Sequence, residues 1–238
     1  MQRERIVAAF PELPIVQLPQ TIHFRDATAR ERARAAFSAH PRFTLLARDA
    51  VSAETARTEL GVRTEQCPDP AFCLGPLEAT VRPRHDILAL GRTDVEQRAD
   101  LGQLGDAAVC QDWLSEPRSP VPWWQAPLEH ATGRYPNRLA ILRPLLTGAY
   151  ASAARARVER GRRLLSLGRV VVTDRLHAHV LSLLLGIPHV LLDNTYGKNR
   201  QFYSTWTRES PVTAWADTPA EALAIARDLL APSRPLAR

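Results

Sequence analysis

The sequence contains few cysteines, and their spacing argues against both a disulfide framework and a zinc-finger site. Only Cys67, Cys73 and Cys110 are present. An odd number cannot pair completely, and the gap between Cys67 and Cys73 is too wide for a CxxC motif. We therefore expect reduced, partly buried thiols and no metal site, as is usual for a protein in a reducing compartment.

Long apolar runs are also missing. The N-terminal segment MQRERIVAAFPELP has no apolar core long enough for a secretion signal. Apolar stretches elsewhere are broken by charged residues, glycine or proline, well short of the ~20 residues that span a membrane. We expect a cytoplasmic protein without a transmembrane helix, for which a peripheral membrane contact remains open.

Basic residues outnumber acidic ones, with 31 Lys and Arg against 25 Asp and Glu and a net charge of +6. Such a balance can favour nucleic acids, anionic membranes or anionic substrates. Zinc-finger spacing, dense basic runs and basic-aromatic repeats are all absent from the sequence, so we expect no nucleic-acid partner. We interpret most of the charge excess as a compositional preference for arginine.

The residues that are present alternate short apolar strands with helices, a pattern typical of α/β proteins with parallel sheets. The predicted strands cover residues 15–18, 43–47, 62–67, 87–90, 107–110, 170–172, 189–192 and 212–215. The predicted helices cover residues 27–37, 53–60, 143–167 and 219–230, with a further one after Arg175. Ser52 is the predicted N-cap of the second helix. Residues 74–84 are a predicted linker, and residues 117–127 a proline-rich loop.

One strand end carries the most informative group of polar residues. The strand at 170–172 runs into Thr173-Asp174-Arg175, and the helix that follows begins near His177. Ligands of open α/β sheets bind at such carboxyl edges, and a helix N-terminus favours an anion. Lys198, in the loop predicted after the next strand, could face the same cleft. Two cations and an imidazole therefore predict a substrate that carries phosphate or carboxylate.

Several segments form an ordered set that covers most of the chain. The first half supplies Leu18-Pro19-Gln20-Thr21-Ile22, Ala47-Arg48-Asp49 and Pro68-Asp69-Pro70-Ala71-Phe72. The second half supplies Gly91-Arg92-Thr93-Asp94-Val95-Glu96, Thr173-Asp174-Arg175-Leu176-His177, Gly186-Ile187-Pro188, Asp193-Asn194 and Tyr196-Gly197-Lys198. Taken together, these segments resemble the polysaccharide pyruvyl transferase family.

The resemblance implies a fold, a reaction and its substrates. The fold would be α/β, with two Rossmann-like domains resembling the GT-B glycosyltransferase fold, at residues 1–80 and 86–238. The reaction would transfer a pyruvyl group from phosphoenolpyruvate to sugar hydroxyls as a ketal, in the synthesis of exopolysaccharide or cell-surface glycan. The acceptor would be a saccharide or a lipid-linked oligosaccharide. No cofactor would be needed beyond the donor substrate.

The resemblance also implies roles for individual residues. Arg175 would clamp the donor's anionic groups, and His177 would act as the general acid or as a ligand of the departing phosphate. Arg48 would clamp the donor from the first domain, and Lys198 would neutralise the leaving phosphate. Further substrate-binding residues would be Gln20 and Asn194.

The chain departs from the family pattern at its N-terminus. Family members usually begin with a further strand and a glycine-containing loop, and nothing of that kind precedes Leu18. We therefore expect an N-terminally shortened first domain with an exposed sheet edge and apolar face. Dimerisation into a homo-oligomer would cover such an edge.

Other interpretations stay open. A nucleotide-sugar glycosyltransferase of the same architecture would need an acidic residue for the ribose, for which Glu96 is a weak candidate. A non-catalytic homologue would also fit a shortened first domain. At the level of residues, Arg175 could simply pair with Asp174, and Asp69 could be a turn residue. His189 is interpreted as structural.

Overall fold

A computed structural model describes residues 2–92, 98–112, 121–134 and 140–231. Eight strands in these ranges form two sheets, and every strand pair is parallel. Parallel sheets connected by helices confirm the predicted α/β class. The assignment to a two-domain GT-B arrangement, and the domain boundaries, stay predictions.

The first sheet has three strands in the order β1-β2-β3, formed by Ile15–Gln20, Phe43–Ala47 and Arg63–Gln66. Its helices are α1 (Gln2–Ala9), α2 (Ala27–Ser38) and α3 (Ala50–Thr55). A π-helical turn, Ala56–Leu60, continues α3 and ends at Gly61, whose φ of 64° is the left-handed conformation that glycine accepts readily. Helix α1 was not predicted from the sequence.

One face of the first sheet is packed and the outer strand is open. Phe43, Leu45 and Ala47 alternate along β2 and are buried against the helices. Strand β1 lies at the sheet edge, and its Val16 and Leu18 side chains are 57% and 63% exposed. This part of the structure therefore presents apolar side chains to solvent.

The prediction that Ser52 caps a helix was wrong. Asp49 is the N-cap: its Oδ1 accepts a hydrogen bond from the Ser52 backbone nitrogen at 2.7 Å. Its Oδ2 also accepts one from the Ser52 hydroxyl at 2.9 Å. Because a buried aspartate at the end of β2 already satisfies the first turn, the helix begins three residues before the predicted start.

The second sheet has five strands in the order β5-β4-β6-β7-β8. The strands are β4 (His85–Gly91), β5 (Val109–Asp112), β6 (Gly168–Thr173), β7 (His189–Leu191) and β8 (Thr213–Trp215). The helices are α4 (Gln125–Arg134), α5 (Arg143–Leu165), α6 (Leu176–Leu184), α7 (Lys198–Phe202) and α8 (Pro219–Leu230). Within the described ranges, none of these helices is long and apolar enough to cross a bilayer.

Strands β4 and β6 form the centre of this sheet and are buried on both faces. Leu88 and Leu90 pack with Leu165 and Val171 on one side. Ile87 and Ala89 pack on the other side with residues that include Val170 and Val172. Burial of each Val or Leu side chain contributes about 1.5–3 kcal/mol. The packed strands hold the carboxyl edge of the sheet in a fixed position.

Two loop predictions in this half need correction. The segment after β7, predicted as a polar loop, contains α7 and a π-helical turn, Tyr203–Thr207. Part of the proline-rich loop predicted at 117–127 is helical, because α4 begins at Gln125. Residues 117–120 of that prediction lie outside the described residues.

Candidate functional site

A cavity of about 240 Å³ lies where the carboxyl ends of the two sheets face each other. Its lining comes from the end of β2, the end of β4, the start of α6 and the segment after β7. The lining residues are Arg48, Arg92, Arg175, Leu176, His177, Ala178, Asn194, Lys198 and Asn199. We call this the interface cavity. It brings together five of the six predicted site residues.

Arg48 enters the cavity from the first sheet, and two nitrogens of its guanidinium are hydrogen-bonded. Its Nε donates to the Thr21 hydroxyl at 2.9 Å, and its Nη1 donates to Asp69 Oδ2 at 2.9 Å. The Thr21 hydroxyl in turn donates to Asp49 Oδ2 at 2.9 Å. These bonds and the burial of the side chain fix the direction of its positive charge.

Arg175 enters from the second sheet, at the N-cap position of α6. It is 8% exposed, and its Nε donates to the Gly91 carbonyl at 3.0 Å. Its side chain does not cap the helix, so backbone N–H groups of the first turn are available to a ligand. Leu176, His177 and Ala178 of this turn all line the cavity. An arginine and a helix N-terminus together form an anion-binding corner.

His177 is the most exposed of the residues that line the interface cavity. Its side chain is 66% exposed, and its Nε2 lies 3.7 Å from Asp69 Oδ2. Asp69 itself is buried. The contact joins a residue that follows β3 of the first sheet to the first turn of α6.

Asn194 and Lys198 reach the cavity from the segment after β7. The Lys198 backbone nitrogen donates to Asn194 Oδ1 at 2.9 Å, and the Lys198 Nζ lies 5.0 Å from the centre of the Tyr196 ring. Lys198 is therefore in the first turn of α7, not in a loop as predicted. Asn199 ties this segment to the sheet by donating to the carbonyls of Asp174 and Leu192, at 2.6 and 2.8 Å.

Asp174 is buried beside the cavity, next to Arg92 and Arg175, which both line it. Its Oδ1 accepts from the Arg92 backbone nitrogen at 2.9 Å, while its Oδ2 has no hydrogen-bond partner in the described residues. Burial raises the pKa of Asp174 to about 6, although the Arg92 bond and the charge of Arg175 act in the opposite direction.

Gln20 is the predicted site residue that the structure does not place in the interface cavity. It lines a separate space of about 440 Å³ between the end of β1 and helices α1 and α2. Its backbone carbonyl accepts from the Arg48 backbone nitrogen at 3.3 Å, so it lies near the site without facing it. Glu96, the candidate ribose ligand, lies outside the described residues.

Three residues in or beside the cavity were not among the predicted site residues. Arg92 lines the cavity and directly follows β4, and the sequence had marked it only as part of a segment that resembles the family. Asp69 was interpreted as a turn residue, and its contact with His177 was not foreseen. Asn199 was missed, because a single asparagine in a polar segment carries no distinguishing pattern.

Two histidines behind the cavity form a buried chain of hydrogen bonds. His189 Nδ1 lies 2.8 Å from the Ile187 carbonyl, which can only accept, so that nitrogen carries a proton. His189 Nε2 then accepts from His179 Nδ1 at 2.7 Å, and His179 Nε2 accepts from the Thr207 hydroxyl at 3.0 Å. Burial lowers the pKa of His189 to about 4 and the pKa of His179 well below its usual value. Both rings are therefore uncharged near pH 7.

The chemistry of the interface cavity is that of an anion site. Arginines from both sheets, a lysine and a helix N-terminus surround it, and a histidine stands at its opening. In the described part of the chain, no group of three or more His, Cys, Asp or Glu could hold a metal ion.

Comparison with known proteins gives a consistent picture. Residues 1–196 match the family model described as polysaccharide pyruvyl transferase. Pyruvyl transferase 1 of Schizosaccharomyces pombe is 31% identical over 221 aligned residues, covering 86% of this chain and 49% of that protein. EpsO of Bacillus subtilis, provisionally assigned as a pyruvyl transferase, is 31% identical over 216 residues, covering 89% of this chain and 65% of that protein.

A solved structure supports the fold. The crystal structure of a functionally uncharacterized protein from Klebsiella pneumoniae matches with a TM-score of 0.57 at 16% identity. The match covers 91% of this chain and 69% of the Klebsiella chain. Of the two curated relatives, by contrast, the present chain spans about half of the Schizosaccharomyces pombe protein and about two thirds of EpsO.

Proposed function

The chain belongs to the polysaccharide pyruvyl transferase family, and we propose that it transfers a pyruvyl group from phosphoenolpyruvate to hydroxyl groups of a saccharide. The observation that carries this proposal is the convergence of Arg48 from the first sheet with Arg175 and Lys198 from the second on one cavity. Phosphoenolpyruvate carries a phosphate and a carboxylate on three carbons. A small cavity with cations on opposite walls suits such a donor.

The two walls suit the two anionic groups. Arg175 and the backbone N–H groups at the start of α6 would bind one of them, because a helix N-terminus adds its dipole to the arginine charge. Arg48 approaches from the opposite sheet, and the guanidinium N–H groups beyond those that donate to Thr21 and Asp69 would bind the other. Lys198 lines the same cavity and would neutralise the charge that develops on the leaving phosphate.

The reaction proceeds by addition and then displacement. A proton is added to the methylene carbon of the donor, which makes the neighbouring carbon electrophilic, and a sugar hydroxyl attacks that carbon. A second hydroxyl of the same sugar then displaces phosphate and closes a cyclic ketal. Of the two hydroxyl protons released, one balances the new methyl group and the other leaves with phosphate. The products are the pyruvylated sugar and inorganic phosphate.

His177 is the proposed proton donor. Imidazole changes its charge near neutral pH, as a general acid for this step requires. Its side chain is 66% exposed at the cavity opening, where both a small donor and a saccharide can reach it.

We further propose a saccharide or lipid-linked oligosaccharide as acceptor, phosphoenolpyruvate as the sole donor, and a cytoplasmic reaction.

The test is a donor-dependent transfer assay with the purified chain. The protein is incubated with phosphoenolpyruvate and a panel of saccharides, and phosphate release is measured together with the mass of the product. We expect phosphate and an acid-labile pyruvyl adduct in equal amounts. Transfer that requires a nucleotide-sugar and ignores phosphoenolpyruvate would indicate a glycosyltransferase instead. A folded chain that neither binds the donor nor transfers would be a non-catalytic homologue.

A further inference from the structure

Asp69 lies between two residues to which the proposed function gives separate tasks. Its Oδ2 accepts from Arg48 Nη1 at 2.9 Å and lies 3.7 Å from His177 Nε2. One carboxylate oxygen therefore faces a proposed donor clamp from the first sheet and the proposed acid of the second. The carboxylate does not line the interface cavity, so it can act on the substrate only through these two partners.

The chain holds this carboxylate in place from several directions. Asp69 stands between Pro68 and Pro70, whose rings restrict the backbone on either side. Its Oδ1 accepts from the Ala71 backbone nitrogen at 3.0 Å and caps a 3-10 helix, Pro70–Leu74. One carboxylate oxygen is therefore used to fix the residue, and the other is left to meet Arg48 and His177.

The 3-10 helix is itself docked on the element that carries His177. It packs against α6. Its Phe72 ring also stacks on Phe202 of α7, with ring centres 6.3 Å apart, and Phe202 packs in one cluster with Leu176 of α6. The position of Asp69 relative to the start of α6 is thus set by an apolar contact as well as by backbone restriction. His177 lacks comparable packing, because most of its side chain is exposed.

We propose that Asp69 is a positioning residue that orients the His177 imidazole and the Arg48 guanidinium toward one bound donor. The inference rests on the proposed function, because it assigns Asp69 to the same reaction. A buried carboxylate beside one ring nitrogen selects the ring orientation and pairs with the ring when it is protonated. The same oxygen keeps Arg48 aimed at the cavity from the other sheet. Asp69 does not itself exchange a proton with the substrate.

The variant that separates this role from folding is Asp69→Asn. Asparagine can still cap the 3-10 helix, and it removes only the negative charge. Asp69→Ser is a second variant, since serine also caps and carries no charge. The matched control is Asp100→Asn, because Asp100 caps another 3-10 helix by accepting from the Gly102 nitrogen and does not line the interface cavity.

The first readout needs no activity. NMR of the His177 ring nitrogens at one fixed pH, assigned with a His177→Gln variant, is expected to show altered chemical shifts in Asp69→Asn and Asp69→Ser, because the carboxylate no longer selects the ring orientation. The Asp100→Asn control should give the wild-type shifts. Unchanged ring shifts in both Asp69 variants, with folding confirmed by thermal unfolding, would overturn the inference and leave the proposed function intact.

The second readout is kinetic. If the wild-type chain transfers pyruvyl groups, Asp69→Asn should lower kcat by about 10- to 100-fold, with a smaller rise in the KM for phosphoenolpyruvate. A wild-type chain without transfer would reject the proposed function alone. Active Asp69 variants with wild-type kcat would reject the positioning role alone.

Discussion

The indole Nε1 of Trp206 donates a hydrogen bond of 2.8 Å to the backbone carbonyl of Arg48, across a sequence separation of 158 residues. The neighbouring Thr205 hydroxyl accepts a hydrogen bond of 3.2 Å from the backbone nitrogen of Ala50, two residues after Arg48. Both contacts join the end of β2 in the first sheet to the turn after α7 in the second. They connect the two sides of the interface cavity, because Arg48 lies in one wall and the α6–α7 region forms the other.

Removal of the indole donor should loosen that wall. Trp206→Phe keeps an aromatic ring but leaves the Arg48 carbonyl without its partner, and we expect a stability loss of about 1 kcal/mol. Affinity for phosphoenolpyruvate should fall several-fold, as measured by calorimetric titration. Trp215→Phe is the control, since Trp215 donates to Asp217 within the second half of the chain. Equal affinity in the two variants would show that Trp206 does not set the cavity.

His177→Ala tests the proposed acid. General acid catalysis contributes about 10²- to 10⁴-fold, so kcat should fall by at least 100-fold. Donor binding should persist, because Arg48 and Arg175 supply the clamp. The rate is measured as phosphate release, and binding by calorimetry. A variant that keeps near wild-type turnover would remove His177 from the mechanism.

Asp174 should give stability a pH dependence of defined sign. Burial raises its pKa to about 6, so the folded protein keeps a proton that the unfolded chain releases near pH 4. The stability from this proton is present below pH 4 and is lost as the pH rises through 6. Between pH 4 and 7, the unfolding free energy of wild type should therefore fall by roughly 2 kcal/mol relative to that of Asp174→Asn, which has no carboxyl to titrate at this position. Urea unfolding at each pH measures it, and a constant difference would contradict the burial argument.

The buried histidine pair should act in the opposite direction. Burial lowers the pKa of His189 to about 4, so the unfolded chain binds a proton below pH 6.5 that the folded protein excludes. This contribution is present above pH 6.5 and is lost as the pH falls toward 4. Relative to His189→Gln, wild type should lose about 2 kcal/mol between pH 7 and 5. The exposed His130→Gln variant serves as the control, and a similar slope in both variants would contradict a buried neutral pair.

Much of the fold could be predicted because local signals were strong. Strand β2 has the predicted bounds, since an apolar run is followed at once by Arg48 and Asp49. Helix α8 also has the predicted bounds, because Thr218 caps it and Pro219 opens it. The position of Arg175 at the carboxyl edge followed from the strand–turn–helix order alone.

The rest depended on contacts between segments that are distant in sequence. The start of α3 was misplaced because Asp49 and Ser52 are both good caps, and in the structure the Asp49 carboxylate accepts from both the backbone nitrogen and the hydroxyl of Ser52. Helix α7 is short and polar, so it has no apolar periodicity to detect. The contact of Asp69 with His177 exists only once the two sheets face each other, and no local pattern encodes it.

Calorimetric titration with phosphoenolpyruvate tests the central claim, that the interface cavity is the donor site. Wild type should bind, and Arg175→Ala should lose measurable binding, because it removes the cation fixed at the start of α6. Arg169→Ala is the matched control: this exposed arginine lies on β6, the strand that leads to Arg175, pairs with Asp86, and its loss should leave affinity unchanged. Equal binding by wild type and Arg175→Ala, both shown to be folded, would contradict the account.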